Sequence, residues 1–203
     1  MRADARENRR RVVAAARELF AERGLDVPMA TIARRAGVGV ATLYRRFPTR
    51  ADLVVEVFSD QLGVCVQAID DALADPDPWH GFVSAVEKIC AAQVVDRGFT
   101  AAFLSEFPDA VDYERERVRA ERVFALVAQR AKDSGDLHPD FDRTDLTLLI
   151  MANGGITAPT PEAALAASRR LTTLLLTAFH LPTTPLPPPA PLGLYHTPLG
   201  PGR

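Results

Sequence analysis

The chain has 203 residues, 47 % hydrophobic and 25 % charged. That is an ordinary globular composition, long enough for one or two domains with a real core. A net charge of −2 excludes a uniformly basic nucleic-acid coat, yet the charge is polarised: residues 1–50 hold 12 arginines and no lysine against five acids, a net of +7, while the remainder carries −9. A basic head on an acidic body points to a nucleic-acid contact at one end only.

The two cysteines, Cys65 and Cys90, each fall in an apolar helical pattern and read as buried thiols rather than a disulfide framework or a zinc site. The start, MRADARENRRR, lacks the apolar core of a signal peptide, and no apolar run approaches a membrane span. The expectation is a cytoplasmic, reduced protein with no membrane partner.

Helical periodicity begins at once. Over 8–23, Val12, Ala16, Leu19 and Phe20 share one face. Gly24 stands where a helix needs a left-handed stop, and Leu25 can fold back on Phe20. Pro28, favoured at a first helical position, opens a short helix to Ala36. The turn Gly37-Val38-Gly39 leads into a third helix, Val40 to Phe47. Thr49 with Asp52 has the spacing of a capping box. It opens a long helix, 50–74, about 38 Å at ~1.5 Å per residue. Further helices are expected over 79–97, 98–107, 113–134, 143–155 and 162–180, punctuated by Pro108, Gly135, Pro139, Pro159 and Pro161. There is no alternating strand pattern of useful length and no internal repeat. The final segment, 182–203, holds eight of the sixteen prolines. It is expected to be extended or disordered.

The informative stretch is 28–53, PMATIARRAGVGVATLYRRFPTRADL. Ala33 fits a close helix crossing, Gly37 four residues on can take the positive φ of a turn, and Leu43 fills the core between the two helices. Ile32, Ala36 and Val38 complete an apolar inside. Such a helix-turn-helix lays its second helix in the major groove of DNA. With Leu43 and Phe47 marking the core side of that helix, Arg45 lies opposite, flanked by Ala41 and Thr42. Arg45 is aimed at base edges, where arginine grips guanine O6 and N7. Ala41 can touch a thymine methyl. Tyr44 and Arg46 sit on the shoulders and, with Thr42, are better placed for phosphates.

The run GVGVATLYRRFPTRADL, preceded one helix earlier by AAARELFAERG, resembles the DNA-binding domain of TetR-type transcriptional regulators. Thr42-Leu43-Tyr44, Phe47, Arg50 and Leu53 carry the likeness most directly, and it covers about residues 8–55. It implies a homodimeric repressor of operator DNA whose divergent helical domain binds a small-molecule effector. It also implies phosphate contacts from Thr42, Tyr44 and Arg50, and base or backbone contacts from Val40, Ala41, Arg45 and Arg46. Met29 and Ala30 stand where the family often has a polar DNA contact, so none is assigned there. Arg2, Arg6, Arg9, Arg10 and Arg11 either reach phosphates or an adjacent minor groove, or form a disordered arm; the sequence leaves both open.

The body is less readable. Phe58, Phe82, Phe99, Phe103, Phe107, Phe124 and Met151 are bulky apolar residues spread over its helices. Phe58, Phe82, Phe103, Phe107, Phe124 and Met151 are candidates to line an effector cavity, against the alternative that each is simple core. Asn153, Gln93 and Tyr113 are candidate polar handles. The run 117–132 reads as a solvated amphipathic helix. The stretch Leu171–Leu181 is apolar on nearly all sides. With Leu146, Leu149 and Ile150 it suggests a two-fold four-helix interface, with an internal core helix of a monomer as the alternative.

No catalytic constellation occurs: the histidines lack metal spacing, and there is no phosphate loop or nucleophile elbow. No cofactor and no metal is expected. The reading is an all-α chain with three parts. Residues 1–50 form a three-helix helix-turn-helix DNA-binding domain. Residues 51–181 form a helical ligand-binding and dimerisation domain, and 182–203 a proline-rich tail. Its expected role is that of a ligand-released repressor. The alternatives are an activator or ligand-independent regulator of the same fold, and a helical enzyme with an accessory basic head.

Overall fold

Caps cut the chain into helices at the points the sequence marks. The computed structural model describes residues 2–95, 102, 111–180 and 184–189. Helix α1 (Arg2–Arg23) buries Val12, Ala15, Ala16, Leu19 and Phe20 along one stripe. It stops at Gly24, whose φ of 78° is left-handed and whose N–H donates to Phe20 O at 3.0 Å. The arginine-rich start is thus the first turns of α1. Helices α2 (Met29–Ala36) and α3 (Val40–Arg46) follow. Thr49 and Asp52 form the expected reciprocal cap, Asp52 N to Thr49 Oγ1 at 3.0 Å and Thr49 N to Asp52 Oδ2 at 2.9 Å. They open α4 (Arg50–Ala74).

Helices α5 (Pro78–Val95), α6 (Val111–Asp133), α7 (Arg143–Gly154) and α8 (Pro161–Phe179) complete the described body. The helix expected over 98–107 lies outside the described residues apart from 102, as do Phe99, Phe103 and Phe107 and the side chain of Tyr113. No helix among the described residues is long and apolar enough to cross a membrane.

Helix α4 is the spine. It packs on α1 through its N-terminal half and on α5 and α6 beyond. The approach to α5 is close: a Cβ at Gly81 would stand 2.6 Å from the Ala72 carbonyl oxygen, so only glycine fits there. The C-terminal carbonyls of α4 are taken up by Arg130 of α6, which donates to Leu73 O and, at 2.8 Å, to Asp75 O. A guanidinium there satisfies orphan acceptors and opposes the negative end of the helix. Arg119 adds a bidentate grip on Asp70, at 2.8 and 2.9 Å.

The core is continuous from head to body. Phe58 on α4 meets Phe20 on α1 at 6.1 Å. Phe82 lies among Trp79, Phe124 and Phe141 at centroid distances of 5.4–5.8 Å. Both rings are fully buried.

A polar network crosses the same interior. Asn153 Nδ2 donates to Cys90 O and to Gln93 Oε1, both at 3.0 Å, and Asn153 Oδ1 accepts from Ser168 Oγ at 2.7 Å. Asn153 and Gln93, expected as handles for a ligand, instead bolt α5, α7 and α8 together.

Helix α7 corrects the expected partner face. Leu146, Leu149 and Ile150 are buried, with Asn153, in the chain's own core. That i, i+3, i+4, i+7 stripe is the inward one. The outward apolar residues are Leu148 and Met151 on α7 and Leu174 on α8, the last 58 % exposed. Leu171 and Leu175 are half-buried.

Of the proline-rich tail, residues 184–189 are exposed, irregular backbone. His138 Nε2 donates to Thr184 O at 3.0 Å, and Leu186 N donates to Asp140 Oδ2 at 3.1 Å. This part of the tail therefore follows a fixed course over the α6–α7 loop. The rest of 182–203 lies outside the described residues.

Candidate nucleic-acid interface and effector cavity

The helix-turn-helix is built from small residues and one arginine. Ala33, fully buried, lets α2 and α3 cross closely, and Ile32, Ala36, Leu43 and Phe47 are buried around it. Gly37 closes α2 with φ 64° and ψ 37°, and Val38 N reaches back to Ala33 O at 3.0 Å. Arg11 of α1 donates to Ala36 O and, at 2.8 Å, to Gly37 O. Its charge is committed to the negative end of α2. Arg9 is ion-paired with Glu56 and Arg10 with Glu7. Of the five N-terminal arginines considered for DNA, these three therefore already have partners within the chain.

Helix α3 presents Val40, Ala41, Tyr44, Arg45 and Arg46 outward, with Tyr44 47 % exposed. Such an apolar and aromatic face with two guanidiniums, on a helix of seven residues, is unusual for a merely solvated surface. Arg45 Nη2 donates to Thr42 Oγ1 at 3.3 Å, so these two expected contacts are linked. Arg45 and Arg46 also border an open groove of about 390 Å³ shared with Asp4, Asn8 and Arg9 of α1. Arg50 Nη1 lies 2.9 Å from Asp26 Oδ1 in an exposed pair. A pair of this kind is worth little, so a phosphate can displace the aspartate.

The body holds a cavity of about 510 Å³. That is within the usual range for small-molecule sites of ~300–1,000 Å³. Its walls come from Leu62, Cys65 and Ile69 of α4, Ile89 of α5, one face of α6, and the segment Phe141 to Leu146 that enters α7. Of the six residues expected in an effector site, Phe124 lines it. Phe58 and Phe82 are sealed in the core behind it, and Met151 faces outward, 43 % exposed. Phe103 and Phe107 lie outside the described residues.

The reading of 117–132 as a solvated helix missed the wall. Arg117, Glu121, Phe124, Ala128 and Lys132 stand on one face of α6, and all line the cavity. The signal was present: a phenylalanine and an alanine interrupt that charged stripe. Arg117 is 7 % exposed and is held by Glu114, with Arg117 Nε to Glu114 Oε2 at 2.7 Å. Asp142, the N-cap of α7, accepts from Thr144 N at 2.9 Å, and that bond holds its carboxyl below the usual range. Burial pushes the Cys65 thiol on the wall up to about 12, with Cys90 adding to the rise. A thiol raised this far stays protonated near neutral pH and is a poor nucleophile. Among the described residues no cluster of three or more histidine, cysteine, aspartate or glutamate side chains could hold a metal ion.

Comparison with known proteins agrees with this geometry. The family model for bacterial regulatory proteins of the tetR family matches residues 12–57, from the first buried residue of α1 into α4. An HTH-type transcriptional regulator of Staphylococcus aureus (strain USA300) is 40 % identical over 67 residues, covering 32 % of this chain and 36 % of that protein. The match thus spans about a third of the length of the curated relatives. NalD, the secondary repressor of a multidrug efflux pump in Pseudomonas aeruginosa, shares the fold with a TM-score of 0.60 at 17 % identity, covering 88 % of this chain and 98 % of that one. The regulator FadR from Bacillus subtilis, solved in complex with stearoyl-CoA, does so with a TM-score of 0.56 at 16 % identity, covering 84 % and 98 %. Residues 12–57 therefore match the N-terminal DNA-binding domain of the tetR family of bacterial regulatory proteins.

Proposed function

We propose that the chain is a cytoplasmic, sequence-specific DNA-binding repressor that acts as a homodimer and leaves its operator when a small molecule fills the cavity against α4. The observation that carries this reading is the double duty of α4. It begins at Arg50, beside the recognition helix, and its Leu62, Cys65 and Ile69 form a cavity wall. Twelve residues separate Arg50 from Leu62, about 18 Å of helix.

In the bound state α3 lies in the major groove. Arg45 reads bases, Val40 and Ala41 face the base edges, and Thr42, Tyr44, Arg46 and Arg50 hold phosphates. The outward Leu148, Met151 and Leu174 form the contact with the second subunit, which sets the spacing of the two recognition helices.

Release follows from how α4 is held. Its first half is tied to α1 by Arg17, which donates to Val57 O, and by the Phe20–Phe58 contact. Its end is tied to α6 through Arg130 and Arg119. A ligand between α4 and α6 that favours a different separation of these helices moves α4 and, with it, the head. It shifts the balance only by its differential affinity for the two arrangements. NalD, on the same fold, is a repressor, and FadR is seen with a bound acyl ligand. These likenesses support the sign of regulation and the use of a cavity. The chain has no catalytic role in this reading.

Selection of bound fragments from a random DNA library by the full chain tests it. The expected result is a near-palindromic site with half-sites related by the protein two-fold. Enrichment of no sequence, with binding that depends on salt alone, would overturn it.

A further inference from the structure

The wall of the cavity is chemically lopsided. Its interior is apolar, formed by Leu62, Ile69, Ile89, Phe124, Phe141 and Leu146. Its charged residues are Arg117, Arg122, Lys132 and Arg143 against only Glu121 and Asp142. Both acids already have partners: Glu121 pairs with Arg143 at 3.0 Å, and Asp142 caps α7. Arg117 is held by Glu114. Lys132 is half-buried and pairs with no acid among the described residues. Its half-buried stem lies in the cavity wall with no acid beside it to answer its charge, which leaves the ammonium available to a ligand.

We infer that the effector is an apolar molecule bearing one anionic headgroup, whose carboxylate or equivalent oxygen anion pairs with the Lys132 ammonium while its apolar body lies along α6 toward Phe124. This inference rests on the effector reading above and adds to it the ligand's charge and the end of the cavity at which that charge sits. Lys132 and Phe124 are eight residues apart on one face of α6, about 12 Å. An extended chain or a fused aromatic body spans that length. A cationic ligand would meet an excess of positive wall charge. A neutral ligand would leave Lys132 unanswered.

Calorimetric titration of the full-length chain tests this with defined probes: decanoate and naphthoate, each against its neutral amide, and decyltrimethylammonium. At least one carboxylate is expected to bind about tenfold or more tighter than its amide, as a charge-assisted contact requires, and the ammonium probe not at all. Lys132→Met should remove the preference for the carboxylate while leaving the affinity of the amide unchanged, and Lys132→Arg should restore it. Equal binding of acid and amide, or a preference that survives Lys132→Met, overturns the inference, as does failure of both carboxylates to bind. Operator affinity measured in the same samples separates the two readings. A carboxylate that binds through Lys132 without weakening operator binding leaves this site standing and removes the ligand-released repressor. A neutral effector that releases the operator does the reverse.

Discussion

Replacing Asn153 by alanine removes the centre of the network that joins α5, α7 and α8. Three hydrogen bonds are lost, two from Nδ2 at 3.0 Å and one to Oδ1 at 2.7 Å. Each is worth about 1 kcal/mol net, and a buried partner left unsatisfied costs about 1–3 kcal/mol more. The Ser168 hydroxyl and the Gln93 amide, both buried, are stranded in this way. The three bonds alone come to about 3 kcal/mol, so the loss is at least that, a fall in melting temperature of about 6–12 °C or more for a chain of this size. Ser168→Ala removes one bond and leaves the buried Asn153 Oδ1 without its donor, so it should cost less than Asn153→Ala, about 2 kcal/mol. The double variant should fall short of the sum, because the Asn153–Ser168 bond is counted in both singles. Thermal and denaturant unfolding of the four proteins reads all of this. A cost for Asn153→Ala within ~0.5 kcal/mol of zero, as at an ordinary surface site, would refute the bolt. So would a variant whose stability is intact while binding to the cavity is lost, since that is the signature of a ligand handle.

Further outcomes follow from the same geometry. Arg45→Ala should cost roughly 1–3 kcal/mol of affinity on the best operator and much less on a site altered at the contacted pair, whereas Arg46→Ala should weaken all sites alike and lower the salt slope by about one unit per contact. A panel of single-base operator variants at several salt concentrations separates the two, and the opposite pattern would reverse the assignment. His80 Nδ1 donates to the Asp75 carboxylate, which raises the imidazole pKa above 6.5. A raised folded value means that the stabilisation is present at low pH and fades as pH rises through that value; imidazole titration by NMR should show a midpoint above 6.5 that Asp75→Asn lowers. Cys65 and Cys90, pushed by burial up to about 12 and about 11, should resist a thiol reagent at about pH 8 in the native chain and react after unfolding. Leu174→Arg should yield a monomer in sedimentation, because an unpaired charge would sit in an apolar contact; a wild-type chain that is itself monomeric at micromolar concentration would contradict the interface.

What could be read from the sequence was what is local in it. Gly24, Gly37 and the Thr49–Asp52 pair set helix ends by backbone chemistry within a few residues, and each does so in the structure. The helix-turn-helix was legible for the same reason: Ala33, Gly37 and Leu43 lie within eleven consecutive residues and act on one another directly. The cavity was not legible, because its walls come from helices that begin as far apart as Arg50 and Arg143. Bulk alone pointed to Phe58 and Phe82, and bulk fills cores as readily as it lines cavities. Helix α7 is apolar on most sides from Leu146 to Met151. Periodicity there could not say which leucines face inward, and the buried Asn153 decides it by needing partners on α5 and α8. Arg11 shows the same limit in the head. Its charge suggested DNA, while a contact 26 residues away in sequence gives it a structural task.

The coupling between cavity and head is best measured by reciprocal linkage. The affinity of the wild-type chain for a compound that binds the cavity, followed through the single Trp79 beside Phe82, would be determined with and without saturating operator DNA. Movement of α4 predicts that operator weakens the compound by the same factor as the compound weakens operator, a coupling of about 1–3 kcal/mol. A compound that fills the cavity with the same affinity whether or not DNA is bound would contradict the role assigned to α4.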